Sequence, residues 1–141
     1  MTSQVRLGSA TEAIASALKQ ITTDGDNGNF AVLDIDSSKT YYAQFAAQRG
    51  DPKIYAEVVG NEYIEPPYQL SAEQTARIEA AGWTSERVGN NGGAGNYGRE
   101  WILDASHSTP ERVAEEIIAL FQNVYGVSPS QDIEITVTLE K

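Results

Sequence analysis

The chain has 141 residues, no cysteine, and 20 carboxylates against 10 lysines and arginines, a formal charge of −10. That length suits a single domain able to bury about two-thirds of its surface without a covalent staple. The missing cysteine excludes disulfide frameworks, thiolate chemistry and Cys-ligated metals, the charge repels phosphate backbones and so disfavours nucleic acid, and no apolar run approaches the roughly 20 residues of a membrane span.

Met1 to Arg6 lacks the apolar stretch of a signal peptide, so a cytoplasmic chain away from membranes is expected. A first helix is expected from Ser9, because Ser9 and Glu12 have capping-box spacing. Ala10, Ala13, Ile14, Ala17, Leu18 and Ile21 then recur at three and four, an alanine-rich face that another element can approach closely. The polar run Asp24-Gly25-Asp26-Asn27-Gly28-Asn29 leads into an apolar strand, Phe30 to Ile35.

Tyr41 to Gln48 and Lys53 to Val59 read as a hairpin around Arg49-Gly50-Asp51-Pro52. If Gln48 faces Lys53, Ala47 faces Ile54, Phe45 faces Ala56 and Ala43 faces Val58. Parity then collects Tyr41, Ala43, Phe45, Ala47, Ile54, Ala56 and Val58 on one apolar face. The other face carries Tyr42, Gln44, Ala46, Gln48, Tyr55, Glu57 and Val59. This is the pattern of a sheet covered on one side only.

Tyr63 and Tyr68 flank Ile64-Glu65-Pro66-Pro67, an expected stiff extended segment. A second helix follows from the Ser71/Gln74 capping box through Ala72, Ala76 and Ile78 to Ala81, with Gly82 as its stop. Trp83 to Val88 and Asn96 to Leu103 are strands, joined by a glycine-rich turn from Gly89 to Gly95. The third helix has Thr109 as N-cap, Pro110 at its first position and Glu111 against the dipole. Val113, Ile117, Leu120, Phe121 and Val124 form its stripe, and Gly126 ends it. Ile133, Ile135, Val137 and Leu139 alternate with polar residues in a last strand. The order α-βββ-α-ββ-α-β predicts an α+β domain over 1–141, an antiparallel sheet with helices on one face.

The chemistry-bearing patterns are thin. Gly93-Ala94-Gly95-Asn96-Tyr97-Gly98 fits G-x-G-x-x-G, but the residues after it read as strand, so no helix end would receive a pyrophosphate. Counted from Asp24, the EF-hand positions six and twelve hold Asn29 and Ile35, which cannot serve as hinge glycine and bidentate ligand. His107, the only histidine, stands near Asp104, Ser106 and Ser108 with no nucleophile-elbow motif. Glu73, Glu79, Glu111, Glu115 and Glu116 lie outside the apolar stripes and read as solvated helix faces. No catalytic residue, cofactor or metal is assigned.

Tyr42-Ala43-Gln44-Phe45-Ala46, Ala56-Glu57-Val58-Val59-Gly60-Asn61, Leu70-Ser71-Ala72-Glu73-Gln74, Ala81-Gly82-Trp83 and Asn96-Tyr97 occur in that order. Together they resemble the TY-Chap domain, a type III secretion chaperone-like family, over about Ala10 to Tyr125. The order of elements also resembles the secretion-chaperone fold and the YbjN family. The resemblance implies a small, acidic, often dimeric protein that holds an extended client on exposed hydrophobic patches. The last strand stands outside the implied pattern and would block the client surface if it capped the sheet edge or covered the outer face.

The expected function is therefore non-enzymatic binding of an unfolded or extended protein or peptide segment on an apolar groove, by helix-in-groove or edge-strand contact, with a homodimer as a further expectation. Tyr42, Tyr55, Val59, Tyr63 and Tyr68 are the candidate contacts, since tyrosine offers apolar area with a polar end. The alanine-rich first helix is a further candidate, and the acidic field favours basic partners. The alternative is a small-ligand protein or enzyme with a site near the glycine-rich loop and His107.

Overall fold

The computed structural model describes residues 2–36, 40–88 and 93–140. Its elements run β1 (Thr2–Arg6), α1 (Thr11–Thr23), β2 (Asn29–Asp36), β3 (Tyr41–Ala47), β4 (Lys53–Val58), α2 (Ala72–Ala80), β5 (Thr84–Val88), β6 (Gly93–Ile102), α3 (Pro110–Asn123) and β7 (Asp132–Thr138). The strands form one seven-stranded sheet ordered β1-β7-β2-β3-β4-β6-β5. Every pairing is antiparallel.

The central hairpin has the expected register: Ala43 pairs with Val58 and Phe45 with Ala56. Phe45, Ile54, Ala56 and Val58 are wholly buried. The alternation continues into β2, where Ala31, Leu33 and Ile35 are buried between half-exposed neighbours. Against this face packs α1, and α3 packs on α1 and shares the same core. Ile14, Leu18 and Ile21 from α1 and Val113, Ile117 and Phe121 from α3 close the core. Helix α2 is tied to the end of α3 where Gln74 Nε2 donates to the Val124 carbonyl at 2.6 Å.

The expected caps of α2 and α3 are present. Ser71 and Gln74 form a reciprocal capping box, and the Thr109 side chain accepts from Arg112 N–H. Gly82 and Gly126 follow the two helices at φ +99° and +72°, a region an L side chain enters only with strain.

Three expectations about the elements need correction, and the place of the last strand is decided. The strand β1 was not expected, so the order is β-α-βββ-α-ββ-α-β. Helix α1 begins at Thr11, with Ala10 as N-cap and no side-chain cap. Leu7–Ser9 instead make a 3-10 turn, and Leu7 is buried, which holds Ser9 outside the helix. Strand β6 begins at Gly93, so Gly93 and Ala94 pair with Val88 and Arg87 of β5 rather than forming a loop; residues 89–92 of the expected turn lie outside the described residues. The last strand is an inner member of the sheet, hydrogen-bonded to β2 on one side and β1 on the other, and does not lie over the outer face.

Candidate partner-binding surface

Opposite the helices, the sheet has a face that no described helix covers. Its cross-strand rows follow from register. Phe30 pairs with Ala46, Ala46 with Tyr55, and Tyr55 with Glu100. One row along, Val32 pairs with Gln44, Gln44 with Glu57, and Glu57 with Gly98. In the next row, Asp34 pairs with both Tyr42 and Glu134. Phe30, Val32, Tyr42 and Tyr55 are half-buried, and Gln44 and Ala46 are exposed. Phe30, Val32, Ala46, Tyr42 and Tyr55 thus give the face an apolar and aromatic ring around the exposed Gln44 amide, with Asp34, Glu57, Glu100 and Glu134 set among and beside them. Its lysine, Lys53, lies 3.6 Å from Glu100.

One asparagine organises the aromatic part. Asn96 Nδ2 donates to the Tyr42 hydroxyl at 3.0 Å, while its Oδ1 accepts from the Gly60 N–H at 3.2 Å. The outward side chain of β6 therefore fixes a ring on β3 and the turn after β4. Tyr42 is anchored by its hydroxyl and offers its ring, whereas Tyr55 stands between two shallow hollows lined by Thr84, Gly98 and Glu100 on one side and Ala46, Gln48 and Lys53 on the other.

Tyr63 and Tyr68 are 44% and 40% exposed, among the most exposed large apolar side chains described. The segment between them is two 3-10 turns, Asn61–Tyr63 and Pro66–Tyr68, not the extended stretch expected. Asn61 clamps its ends: its Nδ2 donates to the Leu70 carbonyl at 2.9 Å, and its Oδ1 accepts from Leu70 N–H at 2.6 Å. Tyr41, buried beneath, donates its hydroxyl to the Tyr68 carbonyl at 2.8 Å. Desolvation there, followed by the charge of Asp36, raises the Tyr41 pKa, so the phenol stays a donor. The two exposed tyrosines thus stand on a braced loop.

Val59 is misplaced by parity. It lies one residue beyond β4 and is fully buried, because the alternation stops at Val58. Its carbonyl accepts from the Tyr125 hydroxyl at 2.6 Å, and burial pushes that phenol's pKa far up. The alanine face of α1 is also largely unavailable: Ala10 and Ala17 are buried in the core and Ala13 is half-buried against it. That face does admit close approach, but the elements approaching are α3 and the sheet.

The alternative site does not assemble. Gly93–Gly95 open β6 and His107 lies past its other end, so the ten-residue strand holds them about 30 Å apart. His107 Nδ1 lies 2.7 Å from Asp104 Oδ1 in an exposed turn. The hydrogen bond from His107 holds the Asp104 carboxyl below its usual range. Among the described residues no cluster of histidine, aspartate and glutamate is arranged to hold a metal ion. Asn29, the sixth residue of the calcium-like run, is completely buried. Its Nδ2 donates to the Ile21 and Asp24 carbonyls, and its Oδ1 accepts from Glu140 N–H.

The helix carboxylates are partly engaged. Glu111 pairs with Lys19 at 2.9 Å and Glu73 with Arg77 at 2.6 Å. Glu116 accepts from Trp101 Nε1 at 3.2 Å and pairs with Arg99, whose guanidinium lies 4.5 Å from the Trp101 ring. These contacts join α3 to β6. Sequence reasoning missed the outward-facing Phe30 and Val32; extending the hairpin's parity one strand further would have found both.

The family described as T3SS (YopN, CesT) and YbjN peptide-binding chaperone 3, TY-Chap3, matches residues 10–137. The chain belongs to this family. Curated proteins and solved structures give no match. As a TY-Chap3 domain, the chain is a chaperone-like peptide-binding module of α+β architecture. The match runs into β7, so the last strand is part of the family's domain and not an addition to it, while β1 precedes the matched residues. Among the described residues no helix is long and apolar enough to cross a membrane.

Proposed function

We propose that this TY-Chap3 chain is a single-domain, non-enzymatic cytoplasmic module that holds unfolded, basic protein segments on the open face of its sheet. Tyr55 and the Tyr42 ring provide the central contacts, and Tyr63 and Tyr68 provide further ones on the braced loop. The carrying observation is the contrast across one hairpin. Phe45 and Val58 are wholly buried, while Tyr42, Ala46 and Tyr55, on the same strands, face outward beneath no described helix.

Burying such a patch against a client releases water from the rings, and main-chain groups of an extended segment can meet the tyrosine hydroxyls. The surrounding carboxylates select for lysine and arginine in the client and against acidic chains. They also disfavour self-association through this face, because Asp34, Glu57, Glu100 and Glu134 would meet their own copies. A homodimer, where it forms, uses another surface; light scattering on the eluting protein gives its mass.

Reduced, amide-alkylated lysozyme is a suitable probe, being unfolded and basic. Wild-type protein is expected to bind it in a salt-dependent manner, and Tyr55→Ser combined with Tyr63→Ser to weaken binding with an unchanged circular dichroism spectrum. Equal binding by wild type and the double variant would refute the assignment.

A further inference from the structure

The first strand fits its place in the sheet poorly. Four of its five residues are exposed, and only Val5 is half-buried. Ser3 pairs with Ile135 and Gln4 with Glu134. Ile135 is buried and belongs to the core, so the position opposite it suits an apolar side chain, yet it holds a serine. Gln4 borders a trough of about 390 Å³ whose lining includes Asp34, Asp36, Asp132 and Glu134. Arg6 already pairs across from Asp132, but a neutral amide stands opposite Glu134 and its neighbour Asp34, where a cation would be attracted.

The anchor lies just after the strand. Leu7 is buried, and Leu7 and Gly8 donate their N–H groups to Gln131 and Pro129 carbonyls at 2.9 and 2.8 Å. A Cβ on Gly8 would stand 2.8 Å from the Pro129 side chain, so the chain is pressed against the segment before β7 at this point. Peeling residues 2–6 from β7 would cost the packing of a single apolar side chain, Val5, on the core, while the Leu7 and Gly8 hydrogen bonds lie beyond the peeled stretch.

We infer that the β7 edge beneath β1 is a second, strand-addition site, which β1 occupies as a weak internal placeholder. Its occupant is an extended segment of another protein, antiparallel to β7, with apolar residues at the Ser3 and Val5 positions and lysine or arginine at the Gln4 position. β1 itself shows that a strand seats there. The trough and Ile135 determine which strand seats better. Backbone pairing at an edge provides affinity and the alternating side chains provide selectivity. The site rests on the peptide-binding reading for the class of its ligand, but on none of the open-face tyrosines.

The placeholder sets the apparent affinity, because a ligand that needs the edge binds only the fraction of molecules in which β1 has left. The chain's lack of cysteine makes the test clean. Thr2 and Thr136 are directly paired, with their hydroxyl oxygens 3.3 Å apart on the exposed face, so Thr2→Cys with Thr136→Cys can be joined and released. The probe is a fluorescent amidated hexapeptide, Thr-Val-Lys-Val-Arg-Leu, which is the chain's own segment 2–7 with valine and lysine at its second and third positions.

In the full chain, the reduced double variant should bind this peptide, and oxidation should lower affinity by at least about tenfold, restored by reductant, as loss of the open fraction requires. Gln4→Lys should also weaken peptide binding, by strengthening the placeholder. Tyr55→Ser should leave it unchanged. No binding by the reduced protein, or equal binding when joined and released, overturns the proposal. Loss of binding in Tyr55→Ser would move the peptide to the open face and overturn the edge site while leaving the open-face reading intact.

Discussion

The central hairpin and the first strand occupy the same sheet under opposite physical regimes. β3 and β4 separate a helix-covered face from an open one, so each residue is assigned to one environment and a register slip would expose Phe45 and Val58 together. β1 is an edge strand with nearly every side chain in water, and Thr-Ser-Gln-Val-Arg carries a single apolar residue. Strand identity in the first case is written in side chains; in the second it is imposed by backbone pairing to β7. Specificity and adaptability follow the same division, with a fixed scaffold at the centre and a replaceable strand at the margin.

Substitutions should reproduce that gradient. Phe45→Ala removes a wholly buried ring that packs beside Trp101 and should cost about 3–5 kcal/mol in denaturant unfolding. Asn29→Ala leaves buried partners of its amide unpaired and should cost about 2–3 kcal/mol by the same measurement. Tyr42→Phe loses the Asn96 contact and should cost about 1 kcal/mol. Val5→Thr on β1 should change stability by less than about 0.5 kcal/mol. A loss at Val5 as large as that at Phe45 would erase the distinction between centre and margin.

A smaller effect appears with pH at the α1–α3 contact. The hydrogen bond from the Lys19 ammonium holds the Glu111 carboxyl below its ordinary value of 4.5. A folded pKa below the unfolded one gives stability that is complete above the ordinary value and lost as pH falls through the lowered folded value. Glu111→Gln should therefore make acid unfolding less steep over that interval, with the two proteins converging at lower pH.

Much of the scaffold was legible in the sequence because its signals were redundant. The register of β3 and β4 followed from parity, since seven apolar residues agreed on one face, and the α2 and α3 starts followed from Ser71, Gln74 and Thr109. The errors fall where local pattern competes with a distant contact. Ser9 and Glu12 have capping spacing, but Leu7, buried against the core, holds Ser9 in a 3-10 turn. Val59 continues the alternation in sequence, while the Tyr125 hydroxyl meets its carbonyl in the buried interior. Tyr42 and Tyr55 were placed on the outward face correctly, yet the partner that fixes the Tyr42 ring, Asn96, lies 54 residues away and leaves no periodic signature.

Fluorine NMR of the protein made with 3-fluorotyrosine tests the client-surface assignment most directly, because the seven tyrosines divide between surface and interior. On addition of reduced, amide-alkylated lysozyme, the signals of Tyr42, Tyr55, Tyr63 and Tyr68 should shift or broaden while those of the buried Tyr41, Tyr97 and Tyr125 stay in place. Unmoved signals from Tyr55 and Tyr63 in the presence of bound client, or movement confined to the three buried rings, would contradict it.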